Sequence, residues 1–461
     1  MRLGMNLMSN DSLEGDPTVS RRQRWLKISV VVLGLAIMGI QWGRLIKRPD
    51  GDFHLHWELG RRMAAGEYLY AHGTDYPYPP FWGLAHLPVS FLECHTAQVV
   101  SFPLFFAALV TLLWTLNKLT GRSIPLSKDY VFWSTAAAVA LGSRYLVRDM
   151  PEVGVNLTLV ALSYLGVWLW TQRREGWGGV SLGLAMALKC TPTLFLAWFI
   201  YKRQWRMVAT TTLAAAAFTL SPALIMGPAE FQRTFTAWAG RVTEGLRQSD
   251  PSRGVLGEEP YQNMSLKLAL ARYLTVVETK TYISRPNHPW YVDFLDLDHT
   301  TAQWIIRGVL LALLAAVGWI YRRPVSDRGD IGLVWECAGL SLLILLYSPI
   351  TWGQHCVGLL PALYVICRRR FGGEALRTWE AVALAAFGIV ILALNRGFIG
   401  PELSRLVASY RDATFGILMI LSVTLAGRVR AAQAVVQSAP EGASQRPTLA
   451  MTMSPSLRRA A

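Results

Sequence analysis

Charge is scarce in this chain: Asp, Glu, Lys and Arg make up 16% of its 461 residues, while 52% are hydrophobic. A soluble protein of this length cannot cover its surface with so few charges, whereas one that faces lipid needs few. Cysteine is equally sparse. The five, Cys94, Cys190, Cys337, Cys356 and Cys367, show no paired spacing and lie mostly in or beside apolar stretches. That pattern excludes a disulfide framework and a zinc site as organising elements. Alternating polar and apolar positions are missing, which excludes a β-barrel, and no internal repeat is visible. The polar N-terminus also lacks the pattern of a cleavable signal. Arg21, Arg22 and Arg24 lead into "LKISVVVLGLAIMGIQWGRL", which is expected to be an uncleaved signal anchor with its N-terminus inside.

What the chain has instead is a series of apolar runs, each near the ~20 residues that cross a hydrocarbon core. The net charge of +15 raises the question of nucleic acid, but Lys and Arg cluster in short links between the runs. Such links mark cytoplasmic loops, so membrane lipids are the expected surroundings and no nucleic-acid partner is expected. The expected fold is an all-α polytopic membrane protein of about eleven or twelve membrane helices. It is placed in the cell membrane (plasma or inner), with both termini cytoplasmic. Residues 1–24 form a cytoplasmic tail, 25–428 the membrane domain, and 429–461 a disordered cytoplasmic tail.

Threading the chain from inside, the first helix (about 25–44) exits to an outer loop over about 45–96. Within that loop "FWGLAHLPVSFL" is too short to span and carries Pro88, so it reads as interfacial or re-entrant. Spans follow at about 97–117, 130–146 and 153–171. The next run, "GGVSLGLAMALKCTPTLFLAWFIYKRQWR", is interrupted by Lys189 and Pro192. A single crossing would put "YKRQWR" outside. Two half-length helices meeting at "LKCTP", each rising ~17 Å at 1.5 Å per residue, keep both basic flanks inside. Further spans are expected at about 207–226, 302–320, 331–347, 354–368, 379–397 and 413–427, with a long outer loop over 227–300 and "NRGFIGPELSRLVASYRD" also outside.

This threading gathers the unusual polar residues on one face. Asp52, His54, His56 and Glu58 follow the first helix, and Arg144, Arg148, Asp149 and Asn156 lie where the third and fourth spans meet. Lys189 tops the half-helix pair, and "YQNMSLKLALARYL" and "SPITWGQHCV" join it from later loops. Ionisable groups near membrane depth are costly and usually mark a working cavity. An acid, several cations and aromatics on one face suit a reaction between an anionic lipid and a hydroxyl compound. "DFHLH" also invites a metal reading through Asp52, His54 and His56, but no further ligand cluster is evident, so no metal is expected.

The stretch "GDFHLHWELGRRMAAGEYLY" with "YPYPPFWGLAHLPV" resembles the start of the glycosyltransferase family 87 proteins. "LKCTP" followed by a basic link, "NMSLKLALAR" and "SPITWGQHCVGLLPAL" are similar to later segments of that family, in the same order. The resemblance covers residues 52 to 363. It implies a GT-C-like fold and an integral membrane hexosyltransferase similar to the polyprenyl-phosphate-mannose-dependent α-mannosyltransferases. The implied donor is a polyprenyl-phosphate sugar, with mannose as the sugar. The acceptor is a hydroxyl on a glycolipid, a glycan or a protein at the extracytoplasmic face. No cofactor is implied.

The resemblance carries the general-base role onto Asp52, and a single acid of this kind suits one inverting displacement. Lys189 and His355 are the candidates for holding the donor phosphate, with Arg144 and Arg148 as auxiliaries. Trp57, Tyr76, Tyr78 and Trp352 are candidates for the prenyl groove or a sugar face, and Asn156 and Asn263 for further substrate contacts. Asn263 has a second reading, that it orders the long loop. Two rivals stay open. A secondary transporter or lipid-carrier flippase would show two related halves around a central path. A non-catalytic lipid-carrier-binding partner of a polysaccharide assembly complex would need no base. The enzyme reading requires Asp52, Lys189 and His355 to share one outward cavity.

Overall fold

The computed structural model describes residues 17–71, 78–255, 257–258, 262–276, 290, 292–394 and 396–437. Tyr76 lies outside the described residues, as do residues 1–16 and 438–461 of the expected tails. The chain is helical almost throughout, because its apolar runs can satisfy their backbone groups in lipid only by bonding within themselves. The helices are α1 (Pro17–Lys47), α2 (Phe53–Ala65), α3 (Phe81–His86), α4 (Cys94–Ser101), α5 (Pro103–Gly121), α6 (Lys128–Asp149), α7 (Val155–Thr171), α8 (Glu175–Leu188), α9 (Thr193–Tyr201) and α10 (Trp205–Leu220). After them come α11 (Ala223–Met226), α12 (Pro228–Arg247), α13 (Leu266–Leu274), α14 (His299–Ile320), α15 (Ile331–Tyr347), α16 (Leu360–Phe371), α17 (Thr378–Gly388), α18 (Arg396–Ser409) and α19 (Asp412–Gln437). Among the described residues the strands are limited to one antiparallel pair, Arg253–Gly254 with Gly257–Glu258.

Among the described residues, five stretches are long and apolar enough to cross a membrane: Arg21–Lys47, Cys94–Gly121, Trp205–Met226, His299–Ile320 and Asp412–Gln433. The other membrane segments are shorter or more polar than a free span. α7 and α15 are apolar but only 17 residues each. α8, α9 and α16 are half-length because they stop at a turn. The chain is therefore an all-α polytopic membrane protein whose expected spans differ widely in length. α15 is buried nearly all round and forms the centre of the main core with α16. α1, α10 and α14 turn large apolar side chains outward, among them Leu33, Leu213 and Leu311, as lipid-facing helices do.

The half-helix pair has the expected form. α8 ends at Lys189, whose backbone is extended, and α9 starts after Pro192. Both outer ends of the pair lie together. Glu175 at the start of α8 accepts from Arg328 (2.7 Å), and Arg328 also donates to the Trp170 carbonyl (2.9 Å). Trp170 in turn donates to Gln204, just past α9 (3.2 Å). The chain thus enters and leaves on the same side. α8 packs closely on α10 through Gly179 and Gly183, where a Cβ would lie 2.3 Å from Thr210 Oγ1 and 2.7 Å from the Ala214 Cβ. Small residues let membrane helices approach this closely.

Two stretches go beyond the threading. "NRGFIGPELSRLVASYRD", expected outside with no element assigned to it, is mostly the helix α18. α17 continues through a π-turn, Ile389–Ala393, and α18 then runs at 98° to it. Gly400 kinks α18 with φ +78°, and helix continues on both sides. At the C-terminus, α19 extends to Gln437, past residue 428, where the disordered tail was expected to begin.

Candidate functional site

Four pieces of chain converge at the end of the molecule opposite the basic links. They are the α1–α2 turn, the α6–α7 loop, the α8–α9 break and the loop ahead of α16. Lys189 Nζ lies 3.1 Å from His355 Nε2. An ammonium can only donate, so it requires a lone pair on Nε2. Nδ1 lies 3.1 Å from both the Trp352 nitrogen and the Ile350 carbonyl; with Nε2 accepting from Lys189, the His355 proton is on Nδ1 and is donated to the carbonyl, not shared with the Trp352 N–H. His355 is neutral in this arrangement, and Lys189 carries the positive charge of the pair. The Tyr78 ring sits on the other side of the ammonium, 5.8 Å from centroid to Nζ.

A small cavity opens beside the pair, bounded by α7, the α8–α9 break, α15 and the turn after Gln354. Lys189, His355 and Asn156 mark its polar wall, and Leu159, Phe195 and Ile344 its apolar one. The Trp352 ring is parallel to the His355 ring, at 3° and 6.4 Å between centroids. The Trp352 indole N–H is buried and has no hydrogen-bond partner among the described residues, so a donor is left for a ligand oxygen.

Asp52 stands at the N-terminal end of α2 but does not cap it with its side chain. Its backbone N–H donates to Glu152 Oε1 at 2.9 Å. Burial together with the neighbouring Glu152 carboxylate holds the Asp52 carboxyl above the usual range. Glu152 is itself buried, which pushes its carboxyl up to about 7. Its Oε2 faces His56 Nε2 at 3.7 Å. His56 Nδ1 accepts from the donor-only Trp82 indole at 3.1 Å, so the imidazole proton is on Nε2 and points at Glu152. Burial holds His56 neutral by lowering its pKa to about 3. Trp82 stacks on Tyr78, centroids 4.2 Å apart. A continuous run of contacts therefore links Asp52, Glu152, His56, Tyr78, Lys189 and His355.

The remaining candidates divide. Asn156 is in the cavity wall, and its amide donates to the buried Asp149 at 2.8 Å. Asn263 is fully buried. Its amide donates to the Pro349 carbonyl (2.9 Å), and its oxygen accepts from the Thr351 (3.0 Å) and Ser265 (3.1 Å) N–H groups. It ties the long loop to the loop that carries Trp352 and His355. Trp57 donates to the Leu92 carbonyl at 3.1 Å and holds the 90–93 turn. Arg144 donates to the Val390 carbonyl in the π-turn at 3.2 Å, directed away from Lys189. Arg148 is exposed, with its stem alongside Gly353. His54 is exposed while His56 is buried, and among the described residues no three His, Cys, Asp or Glu side chains converge as a metal site.

Glu152 was not singled out by sequence reasoning, which counted Asp52 as the acid of the site. Its signal was weak: "RDMPEVG" looks like a polar turn between spans. Only the packing of the α1–α2 turn over that loop turns Glu152 inward.

The model of glycosyltransferase family 87 matches residues 76–349, with Asp52 and His355 flanking that range. The chain is 26% identical over 440 residues to the polyprenol-phosphate-mannose-dependent alpha-(1-2)-phosphatidylinositol mannoside mannosyltransferase of Mycolicibacterium smegmatis, covering 87% of this chain and 90% of that one. It is 27% identical over 366 residues to the protein of the same name from Mycobacterium tuberculosis, covering 76% and 77%. A polyprenol-phosphate-mannose-dependent alpha-(1-2)-phosphatidylinositol pentamannoside mannosyltransferase of M. smegmatis is 25% identical over 394 residues, covering 81% and 83%.

Proposed function

The chain belongs to glycosyltransferase family 87 and is a multi-pass membrane glycosyltransferase, and from that premise we propose that it transfers mannose from a polyprenyl-phosphate donor to a hydroxyl of a mannosylated inositol glycolipid. Transfer takes place at the extracytoplasmic face by a single inverting displacement. The observation that carries this reading is the Lys189–His355 pair, held 3.1 Å apart at a helix break beside a cavity with one polar and one apolar wall. The relatives' names supply the sugar and the class of acceptor.

The residues suit each step. The apolar wall at Leu159, Phe195 and Ile344 accepts the isoprene units nearest the phosphate. Lys189, its ammonium steadied by His355, takes the phosphate, where a fixed cation stabilises the charge that grows on the departing polyprenyl phosphate. Asp52 receives the proton of the acceptor hydroxyl as its oxygen bonds to the anomeric carbon and the carbon–phosphate-oxygen bond breaks. The raised Asp52 carboxyl is a better base than an ordinary one, and such help is typically worth ~10²–10⁴-fold. Attack opposite the leaving phosphate turns a β-linked donor into an α-linked product.

The test is transfer of label from polyprenyl-phosphate [³H]mannose to extracted inositol glycolipids by membranes holding the wild type or Asp52→Asn. Only the wild type is expected to form a labelled glycolipid. Equal transfer by the variant removes Asp52 from the base role. Absence of transfer by the wild type across glycolipid, glycan and protein acceptors overturns the donor assignment.

A further inference from the structure

The α1–α2 turn and the α6–α7 loop are strapped together more firmly than a loop contact requires. Gln98 donates from one amide nitrogen to both the Asp50 (2.6 Å) and Pro151 (2.8 Å) carbonyls. Glu152 Oε1 accepts the Asp52 N–H at 2.9 Å. Gly51, at φ +73°, makes this approach possible, since a Cβ there would lie 2.7 Å from Glu152 Oε1. The other Glu152 oxygen is buried without a hydrogen bond and faces the His56 N–H. Burying a carboxylate with one oxygen unsatisfied is costly, and a loop tether alone would be served as well by an amide.

We propose that Glu152 is the positioning residue for the base. Its Oε1 fixes the Asp52 backbone, and its Oε2, drawn toward the His56 N–H, ties Asp52 to the histidine–indole wall that carries Tyr78 beneath Lys189. The inference rests on the reading of Asp52 as general base. The titratable groups around the pair are Asp50 from the α1–α2 turn, His54 and the neutral His56 from α2, Asp149 from α6 and Lys189 from the α8–α9 break. Within that set, ionised Glu152 strengthens Asp52 as a base, because a second negative charge beside it disfavours its ionised form. Glu152 ionises as pH rises through about 7, so its contribution is present above that pH and lost below it.

Glu152→Gln separates the two roles. The amide keeps an oxygen for the Asp52 N–H but cannot ionise. Purified, reconstituted full-length chain is assayed with polyprenyl-phosphate mannose for kcat and donor KM from pH 5 to 9, alongside Asp52→Asn. The expected result is a kcat lower on the order of tenfold, well short of the ~10²–10⁴-fold loss for the base itself. The donor KM is expected to stay within about twofold, because Lys189 and His355 are intact, and the wild-type rise in kcat near pH 7 is expected to vanish. Glu152→Asp, one carbon too short to reach both partners, is not expected to restore it. A wild-type kcat and pH profile for Glu152→Gln overturns the inference, and so does a loss carried equally by KM, which is what a purely structural tether produces. If Asp52→Asn keeps wild-type activity, the base reading fails and the inference falls with it. If Asp52→Asn is inactive while the Glu152→Gln profile is unchanged, only the inference fails.

Discussion

At the scale of single residues, the site depends on where protons and charges are held. Lys189 supplies the cation and His355 the lone pair that steadies it, so the two are not equivalent. Lys189→Met removes a charge-assisted contact to the donor phosphate. Such contacts are worth about 1.5–3 kcal/mol, on the order of ten- to a hundredfold, and the loss is expected in donor KM, measured by steady-state kinetics. His355→Gln keeps an acceptor for Lys189 and is expected to cost less. Asp52 must be ionised to act, and its pKa is raised. The acid limb of the rate profile is therefore expected above the usual carboxylate range of about 4, with activity falling as pH drops through it. A limb at ordinary carboxylate pH would mean that Asp52 is not the group being titrated. Lys189 and His355 stood out in the sequence because each is an ionisable residue within or beside an apolar run, where a burial cost marks it, whereas Asp52 was singled out through the family resemblance. Glu152 was not, because beside Pro151 its polarity looks like that of any turn, and its burial comes from α2, far away in the chain.

At the scale of elements, the α8–α9 break does most to build the cavity. It was legible from charge placement, since only a pair that turns back keeps both basic flanks on one side, and the contacts among Glu175, Arg328, Trp170 and Gln204 bring those flanks together. Gly179 and Gly183 form a close-approach face toward α10, a pattern visible in the sequence but uninterpretable without knowing the partner helix. Gly183→Val is expected to destabilise by overpacking, about 1–3 kcal/mol, seen as a lower unfolding temperature in detergent. An unchanged temperature would show that α8 can move aside freely. α18 was not specified by the threading, which placed its residues outside without assigning them an element. Its position matters for the site: Tyr410, just past it, supports the long loop through its contact to the Val292 N–H at 2.9 Å.

At the scale of the whole molecule, the basic links gather at the end away from the site, and there a buried cluster ties the core together. Glu336 accepts from Lys202 (2.9 Å), Arg428 (2.8 Å) and the Trp198 indole (2.8 Å), all buried. Glu336→Ala strands two buried cations and is expected to cost about 3–5 kcal/mol, measurable as loss of folded protein on heating, with no change in the pH profile of what remains. The separation of the two ends also sets orientation. Cys190 adjoins Lys189 and is the exposed cysteine, whereas Cys337, Cys356 and Cys367 are buried. A membrane-impermeant maleimide is expected to label Cys190 from outside intact cells. Labelling that requires permeabilisation would put the site on the cytoplasmic face.

The central claim is that Lys189 at the cavity and Asp52, linked to it through Glu152, His56 and Tyr78 rather than lining the cavity, act on one bound donor. A structure of the full-length protein with a polyprenyl-phosphate sugar bound tests it most directly. The expected result is the phosphate within hydrogen-bond distance of Lys189 Nζ, the first isoprene unit against Phe195, and the anomeric carbon facing the Asp52 carboxylate across room for an acceptor hydroxyl. A phosphate bound instead at Arg148 or among the basic links at the other end, with Asp52 remote from the sugar, would contradict it.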